Sequence, residues 1–292
     1  MCRPPARSAE LPHRTSALDG TLVELGAGDA PSGAALSDEA GWNQTEEDWA
    51  LMVRLGRAFG VTGPGGSLVA TSLALPYPQR FGWISMVLVH GPFRRRGLAT
   101  RLLERSVAEL QERSLVPFLD ATPAGQAVYE RMGFGPVSTL TRWRGLGGGR
   151  TASTFPQLAA PDLGALGELD EAAFGADRSQ VLVDLVQRRA PVALRDPAGQ
   201  GYALSRAGRT ATHVGPVVAR ETETAVSLLE CALAAISGQV VIDVPDRQSE
   251  LVELLRRRGF EPERPYVRMV LGRETGFGEE ALVRAIAGPE LG

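Results

Sequence analysis

The sequence predicts a mixed α+β (α/β) fold in which one plan of elements is used twice. Three observations predict it. Apolar residues recur with a period of 2 in some stretches and 3.6 in others, so strands and helices are interleaved. Residues 102–134 lie over residues 228–260 at a constant offset of 126; both runs open Leu-Leu-Glu and both close on Gly-Phe. A strand-like run ending at Val89 stops at Gly91-Pro92, is followed by Arg94, Arg95 and Arg96, and gives way to a helical pattern at Gly97.

Taken in order, 21–25 (TLVEL) reads as a strand and 30–40 and 45–55 as two short helices. Thr45 with Asp48 makes a capping box for the second of these. Strands 57–61 and 67–75 flank a glycine-rich turn at 63–66, and 81–89 is the next strand. Over 97–113, Leu98, Leu102, Leu103, Val107 and Leu110 share one face, with Arg101, Glu104, Arg105, Glu109 and Glu112 opposite, which is an amphipathic helix. A strand at 116–120, a helix at 124–132 and a strand at 138–144 complete the first round. The run 145–150 (GLGGGR) is glycine-rich without periodicity and reads as a linker. Helices at 162–174 and 179–189 then precede strands at 191–195, 201–206 and 211–219. A helix at 222–237, a strand at 240–244, a helix at 249–258 and a strand at 266–271 follow. The chain closes on an amphipathic stretch, 279–287, and GPELG. Duplication explains this recurrence; the alternative is two unrelated α/β domains with similar amphipathic helices. The expected division is a disordered tail at 1–18, a first domain at 19–146, a linker at 147–150, a second domain at 151–275 and a helical tail at 276–292.

The bulk composition narrows the chemistry. At 292 residues, with 43% apolar and 22% charged side chains, the chain has the size and makeup of one large or two ordinary globular domains. A net charge of −3 gives no general pull toward nucleic acid or anionic membrane. All basic side chains are arginine, which excludes a lysine nucleophile or Schiff base. Cys2 and Cys231 are too few for a disulfide framework and suit a reducing compartment. No apolar core of a signal peptide and no membrane-length apolar run is present, so a cytoplasmic location is expected. His13, His90 and His213 lack metal-ligand spacing with cysteine or carboxylates, and no metal is expected.

The stretch around Gly97 points to a specific ligand. Cations at a helix N-terminus face the positive end of the macrodipole, which is unfavourable unless an anion sits there. The free N–H groups of a helix start form such an anion site, and glycine lets the anion approach the backbone. The segment therefore reads as a pyrophosphate cradle.

A strand, then Arg94-x-x-Gly97-x-Ala99, then a long amphipathic helix, a strand, and Tyr129 four residues before Gly133-Phe134, resembles the GNAT (Gcn5-related N-acetyltransferase) superfamily. The resemblance covers about 20–146 well and 151–272 weakly. GWNQTEEDW (41–49), LDATPAG (119–125), FGADRS (174–179), HVGPVVA (213–219) and GPELG are similar to a bacterial branch of tandem GNAT proteins, the YitH-like group. It implies tandem domains, each a mostly antiparallel mixed sheet flanked by helices. It also implies acetyl-CoA as co-substrate and a primary amine of a small molecule or peptide as acceptor. Pantetheine would pair with the backbone of Val87, Leu88 and Val89, with the Val89 N–H as oxyanion donor. The diphosphate would lie on the N–H groups of 95–99, with Arg94, Arg95, Arg96, Gly97, Leu98, Ala99 and Thr100 forming the site. Tyr129 would be the general acid for the departing thiolate.

No general base stands out. Glu46, Glu47 and Asp48 fall where this family covers the acceptor cleft, but they also start a helix. Trp42 and Trp49 either wall the acceptor pocket or anchor that helix, and a water-mediated base serves as well. Trp42, Asn43, Glu46, Asp177, Arg178 and His213 are the candidate acceptor contacts. At the offset of 126, Gly97 becomes Glu223, Arg95 becomes Glu221 and Tyr129 becomes Leu255. The second domain is therefore expected not to catalyse, but to pack on the first and shape the acceptor cleft. The competing readings are a non-catalytic acyl-CoA-binding sensor and, against the acidic net charge, a nucleic-acid binder using Arg94–Arg96.

Overall fold

The computed structural model describes residues 20–149, 155–188 and 191–292. The tail expected over 1–18, and the ends of the expected linker at Arg150 and of the helix at Arg189, lie outside them. The first half runs β1 (Thr21–Leu25), α1 (Ala30–Glu39), α2 (Glu46–Leu55), β2 (Arg57–Thr62), β3 (Leu68–Tyr77), β4 (Phe81–Val89), α3 (Leu98–Glu112), β5 (Val116–Ala121), α4 (Pro123–Arg131) and β6 (Phe134–Gly147). The second runs α5 (Leu163–Phe174), α6 (Ser179–Gln187), β7 (Ala193–Arg195), β8 (Gly201–Arg206), β9 (Thr212–Ala219), α7 (Thr222–Ala235), β10 (Gly238–Pro245), α8 (Ser249–Arg257) and β11 (Glu261–Leu271), with β12 (Val283–Ala285) after it.

Among the described residues the strands form a single mixed sheet in the order β1-β2-β3-β4-β5-β11-β6-β10-β9-β8-β7, with β12 against β9. Pairing is antiparallel except for β4 with β5 and β9 with β10. The order shows a reciprocal exchange. β6, from the first half, lies against β10, and β11, from the second half, lies against β5. The two exchanged strands pair with each other at the centre. Each carries an arginine at the offset of 126. Arg142 on β6 grips Asp243 on β10 through Nε and Nη2 at 2.8 and 2.7 Å. Arg268 on β11 grips Asp120 on β5 at 2.9 Å twice. Bidentate pairs of this kind fix register as well as energy.

Helix α3 covers the first half's sheet with Leu98, Leu102, Leu103 and Leu110, all buried, each worth about 1.5–3 kcal/mol of removed apolar surface. Glu109, expected on the outer face, is also buried, because Arg105 and Arg113 fold over its two oxygens. The largest core cluster crosses the halves: Phe81, Trp83 and Phe118 of the first meet Phe174 and Phe277 of the second.

Two expected segments are corrected. The run read as a linker continues β6 to Gly147. Two of its glycines are there for close approach, since a Cβ on Gly145 would lie 2.5 Å from the Phe260 ring and one on Gly147 2.5 Å from the Ile236 carbonyl oxygen. The expected helical tail at 276–292 is a single 3-10 turn at Glu280–Leu282 followed by β12. Residues 286–292 then run buried between the halves: Tyr77 Oη donates to the Leu291 carbonyl at 2.5 Å and Trp83 Nε1 to that of Pro289 at 2.8 Å.

Asp243→Ala is expected to cost about 3–5 kcal/mol, because it strands a buried arginine. Burial raises the Asp243 carboxyl, but the charge of Arg142 and the hydrogen bond from His213 outweigh it and hold it well below the usual carboxylate range. The pair's stabilisation is therefore present above the unfolded value near 3.9 and fades only as pH falls toward the lowered folded value. Urea unfolding at neutral pH checks this; a loss under ~1 kcal/mol, well below that range, refutes it.

Candidate active site

Strand β4 carries a bulge. Thr71 pairs with Leu88 and Leu73 with Ser85, so Met86 and Val87 together face Ser72. Met86 takes a φ of +51°, and the Thr71 hydroxyl donates to its carbonyl at 2.8 Å. Beyond Trp83, β4 and β5 no longer pair and the sheet splays open. The His90 N–H donates to the Val69 carbonyl at 2.8 Å. Alternation along the strand then turns the N–H groups of Val87 and Val89 away from β3, into the gap. The gap opens into a cleft of about 920 Å³, the size of a cofactor or substrate site.

At its upper end lies the start of α3. Arg95 (φ +61°) and Gly97 (φ +81°, ψ 0°) both adopt left-handed conformations that curl the loop into the helix. No side chain among the described residues caps this helix, and the first intrahelical bond runs from Arg101 N–H to the Gly97 carbonyl. The first-turn N–H groups of Leu98, Ala99 and Thr100 thus have no acceptor among the described residues. A Cβ on Gly97 would meet open space, so its glycine is required by φ alone. Arg94, Arg95, Gly97, Leu98, Ala99 and Thr100 all line the cleft. Arg94 Nε donates to the Val89 carbonyl at 2.9 Å, tying loop to strand. Arg96 turns away: Nη2 donates to the Pro92 carbonyl at 2.7 Å and its guanidinium lies 5.1 Å from the centre of the Phe93 ring.

Tyr129, on α4, lines the same cleft. Its ring packs at 6.2 Å from Phe134, and its hydroxyl has no hydrogen-bond partner among the described residues. Burial pushes the phenol up to about 12.

The expected acceptor contacts divide. Trp42 lines the cleft; Trp49 is core, with Nε1 bonded to Ser37 Oγ at 2.9 Å. Asn43 is fully engaged with Thr210 and Ala211 of the second half, which makes it a tie between halves. Glu46 is exposed in the first turn of α2, and the Thr45–Asp48 capping box is present. Asp177 receives the Ser179 N–H at 2.8 Å at the start of α6. Arg178 is buried in a bidentate pair with Asp170 and stacks on Phe174. His213 accepts from Arg206 at Nδ1 (3.1 Å) and donates from Nε2 to Asp243 (3.0 Å), roles assigned from its partners. Burial, with Arg206 beside it, lowers its pKa and keeps it neutral.

The second half does reach the cleft, but through other residues. Glu263, Arg264, Pro265 and Tyr266 of β11 form one wall, and Pro289 and Glu290 another. Arg206 ties this wall to the first half, pairing with Glu290 and, at 3.2 Å, with Asp48.

The corresponding gap of the second half is filled by the chain itself. β9 and β10 pair only over 212–214 and 240–242 before diverging. β12 lies in that opening, paired with Val217 and Val218, and the next N–H, of Ile286, donates to the Asp243 carbonyl on β10 at 3.0 Å. Gly215 permits the passage, since a Cβ there would collide with the Ile286 carbonyl oxygen. Arg284 sits at the start of α7, bonded to the carbonyls of Ala219 and Arg220 and to Thr222 Oγ1.

A model of the GNAT acetyltransferase family matches residues 30–134, and a model of a GNAT acetyltransferase domain matches residues 166–281. The uncharacterized N-acetyltransferase YitH of Bacillus subtilis is 27% identical over 241 residues, 77% of this chain and 82% of that one. A candidate acetyltransferase of Pyrococcus horikoshii superposes with a TM-score of 0.76 at 18% identity, covering 98% of this chain and 99% of its own. A tandem GNAT protein from the clavulanic acid biosynthesis pathway superposes with a TM-score of 0.58 at 17% identity, covering 86% and 97%.

Proposed function

The chain belongs to the GNAT superfamily in both of its halves, and from that premise we propose that its first half moves an acetyl group from acetyl-CoA to a primary amine by direct attack. The observation that carries this reading is the meeting, in one cleft, of a β4 edge that has parted from β5, a helix start at Gly97 with no side-chain cap among the described residues, and a protonated Tyr129. The diphosphate would lie on the N–H groups of Leu98, Ala99 and Thr100 with Arg94 and Arg95 beside it. Pantetheine would extend along 87–89. The amine nitrogen attacks the thioester carbonyl carbon, and the oxyanion is met by the Val89 N–H, a contribution worth a few kcal/mol. As the C–S bond breaks, Tyr129 gives its proton to the sulfur and recovers one from the amine.

The second half is assigned no catalysis. β12 takes the place pantetheine would need, Arg284 covers the helix start, and Leu255 stands at the position of Tyr129. Isothermal titration with acetyl-CoA is therefore expected to give one site per chain, with thiol release in the presence of a primary amine. Two equivalent sites overturn the asymmetry. Binding without thiol release across an amine panel favours an acyl-CoA sensor instead.

A further inference from the structure

We propose that Gln44, Ser85 and Glu290 form the acceptor subsite, which takes a primary amine as its ammonium ion, and that Glu290 accepts the proton that frees the nucleophile; this rests on the acetyl-transfer reading. Seven side-chain polar atoms are buried without a hydrogen-bond partner among the described residues. Four of them, on Arg57, Trp143, Arg195 and Arg273, are N–H donors, and none of those residues lines the cleft. The other three are Gln44 Oε1, Ser85 Oγ and Glu290 Oε2, and all three residues line it. They are only 6%, 7% and 2% exposed. An unmet buried acceptor costs about 1–3 kcal/mol, so three in one cleft mark a place for a donor-rich ligand.

All three line this one cleft, and a series of contacts links the segments that carry them. Trp83 and Ser85 share a face of β4, two residues apart, and Trp83 Nε1 holds the Pro289 carbonyl. Glu290 Oε1 is fixed by Arg206, which leaves Oε2 as the free oxygen. Arg206 also pairs with Asp48, whose capping box begins one residue after Gln44. A carboxylate, an amide oxygen and a hydroxyl offer three acceptors to the three N–H bonds of a primary ammonium. A secondary or tertiary ammonium leaves one or two of them unmet. Trp42 then lies alongside for the carbon skeleton.

The protons balance. The ammonium loses one to Glu290 Oε2, from which it passes to solvent, and the neutral amine attacks. On collapse of the tetrahedral intermediate the nitrogen loses a second, which replaces the one Tyr129 hands to the thiolate. The products are the amide, CoA thiol and one proton released.

Methylammonium chloride is the probe, with tetramethylammonium chloride as control. Crystals equilibrated with methylammonium are expected to show its nitrogen within hydrogen-bond distance of all three atoms, and the control excluded. Glu290→Gln and, independently of the Arg206 pair, Ser85→Ala are each expected to weaken binding at least tenfold by titration. Methylammonium absent from these atoms, or bound by both variants as tightly as by the parent protein, overturns the subsite. A parallel acetyl-CoA titration separates the two readings. Acetyl-CoA bound with methylammonium excluded refutes the subsite alone; methylammonium bound without acetyl-CoA refutes acetyl transfer and retains the cation site.

Discussion

Gly97→Glu is expected to abolish acetyl-CoA binding while leaving the chain folded. The residue is the N-cap of α3 at φ +81°, and nothing lies within 4 Å of where its Cβ would be. Any side chain there pays the left-handed penalty of roughly 1–2 kcal/mol. A carboxylate at a helix start is otherwise favourable to the helix, so the fold survives. The ligand does not gain from this: the carboxylate stands where the diphosphate must approach. Repulsion of about 4 kcal/mol per pair of unit charges at 4 Å near a surface corresponds to about a thousandfold in affinity. Gly97→Ala isolates the conformational part and is expected to weaken binding by no more than about thirtyfold, the left-handed penalty of roughly 2 kcal/mol taken in full. Calorimetric titration of both variants, beside their thermal unfolding, separates charge from strain. Binding by Gly97→Glu within threefold of the parent protein sinks the cradle.

Most elements were legible because their apolar periods are clean: α3 and β4 fall within a residue or two of where 97–113 and 81–89 were expected. The exchange of β6 and β11 was not, because strand order depends on long-range pairing that leaves no local trace. In hindsight a pairwise clue exists. Arg142 and Arg268 occupy the same place in the repeat, and each pairs with an aspartate on the other half's strand. The glycines at 145 and 147 misled because flexibility and close approach demand the same residue; the Phe260 ring above Gly145 and the Ile236 carbonyl beside Gly147 tell them apart. The segment 279–287 has a helical apolar period, yet the open edge of β9 recruits Val283–Ala285 as a strand, an instance of tertiary pairing overriding local pattern.

The wall of the candidate site around Gly97 and Tyr129 was legible in the sequence; the walls supplied by β11 and by 289–290 were not. Gly97, the neighbouring arginines and Tyr129 sit within a recognisable spacing, and the structure gathers them in one cleft, apart from Arg96. Asp177, Arg178 and His213 were candidate acceptor contacts from FGADRS and HVGPVVA; Arg178 and His213 are bonded inside the fold, and Asp177, exposed, accepts the Ser179 N–H at the start of α6. Glu290 gave no signal beyond being the acid in GPELG. Its significance comes from a fixed neighbour, Arg206, and an oxygen left free.

Tyr129→Phe is expected to lower turnover by about 10²–10⁴-fold, the range for a positioned general acid, with acetyl-CoA affinity unchanged. The phenol, pushed up to about 12 by burial, stays protonated at every practical assay pH. The same shift makes it a weaker acid than a free tyrosine. Against a thiol near 8.5, outright transfer from so weak an acid is uphill. Proton movement must therefore keep pace with C–S cleavage, when the sulfur is most basic and the tetrahedral nitrogen is ready to return a proton. This places the loss toward the lower end of the range, because a hydrogen bond to the departing sulfur supplies part of the effect. It also predicts a partial rescue in the variant by acyl donors with more acidic thiols, whose departure needs less help. The rate ratio between acetyl-CoA and an acetyl thioester of lower thiol pKa, measured in both proteins, reads this directly. A variant with parental turnover, or with the same sensitivity to thiol acidity, removes Tyr129 from the reaction and leaves its ring as packing for Phe134.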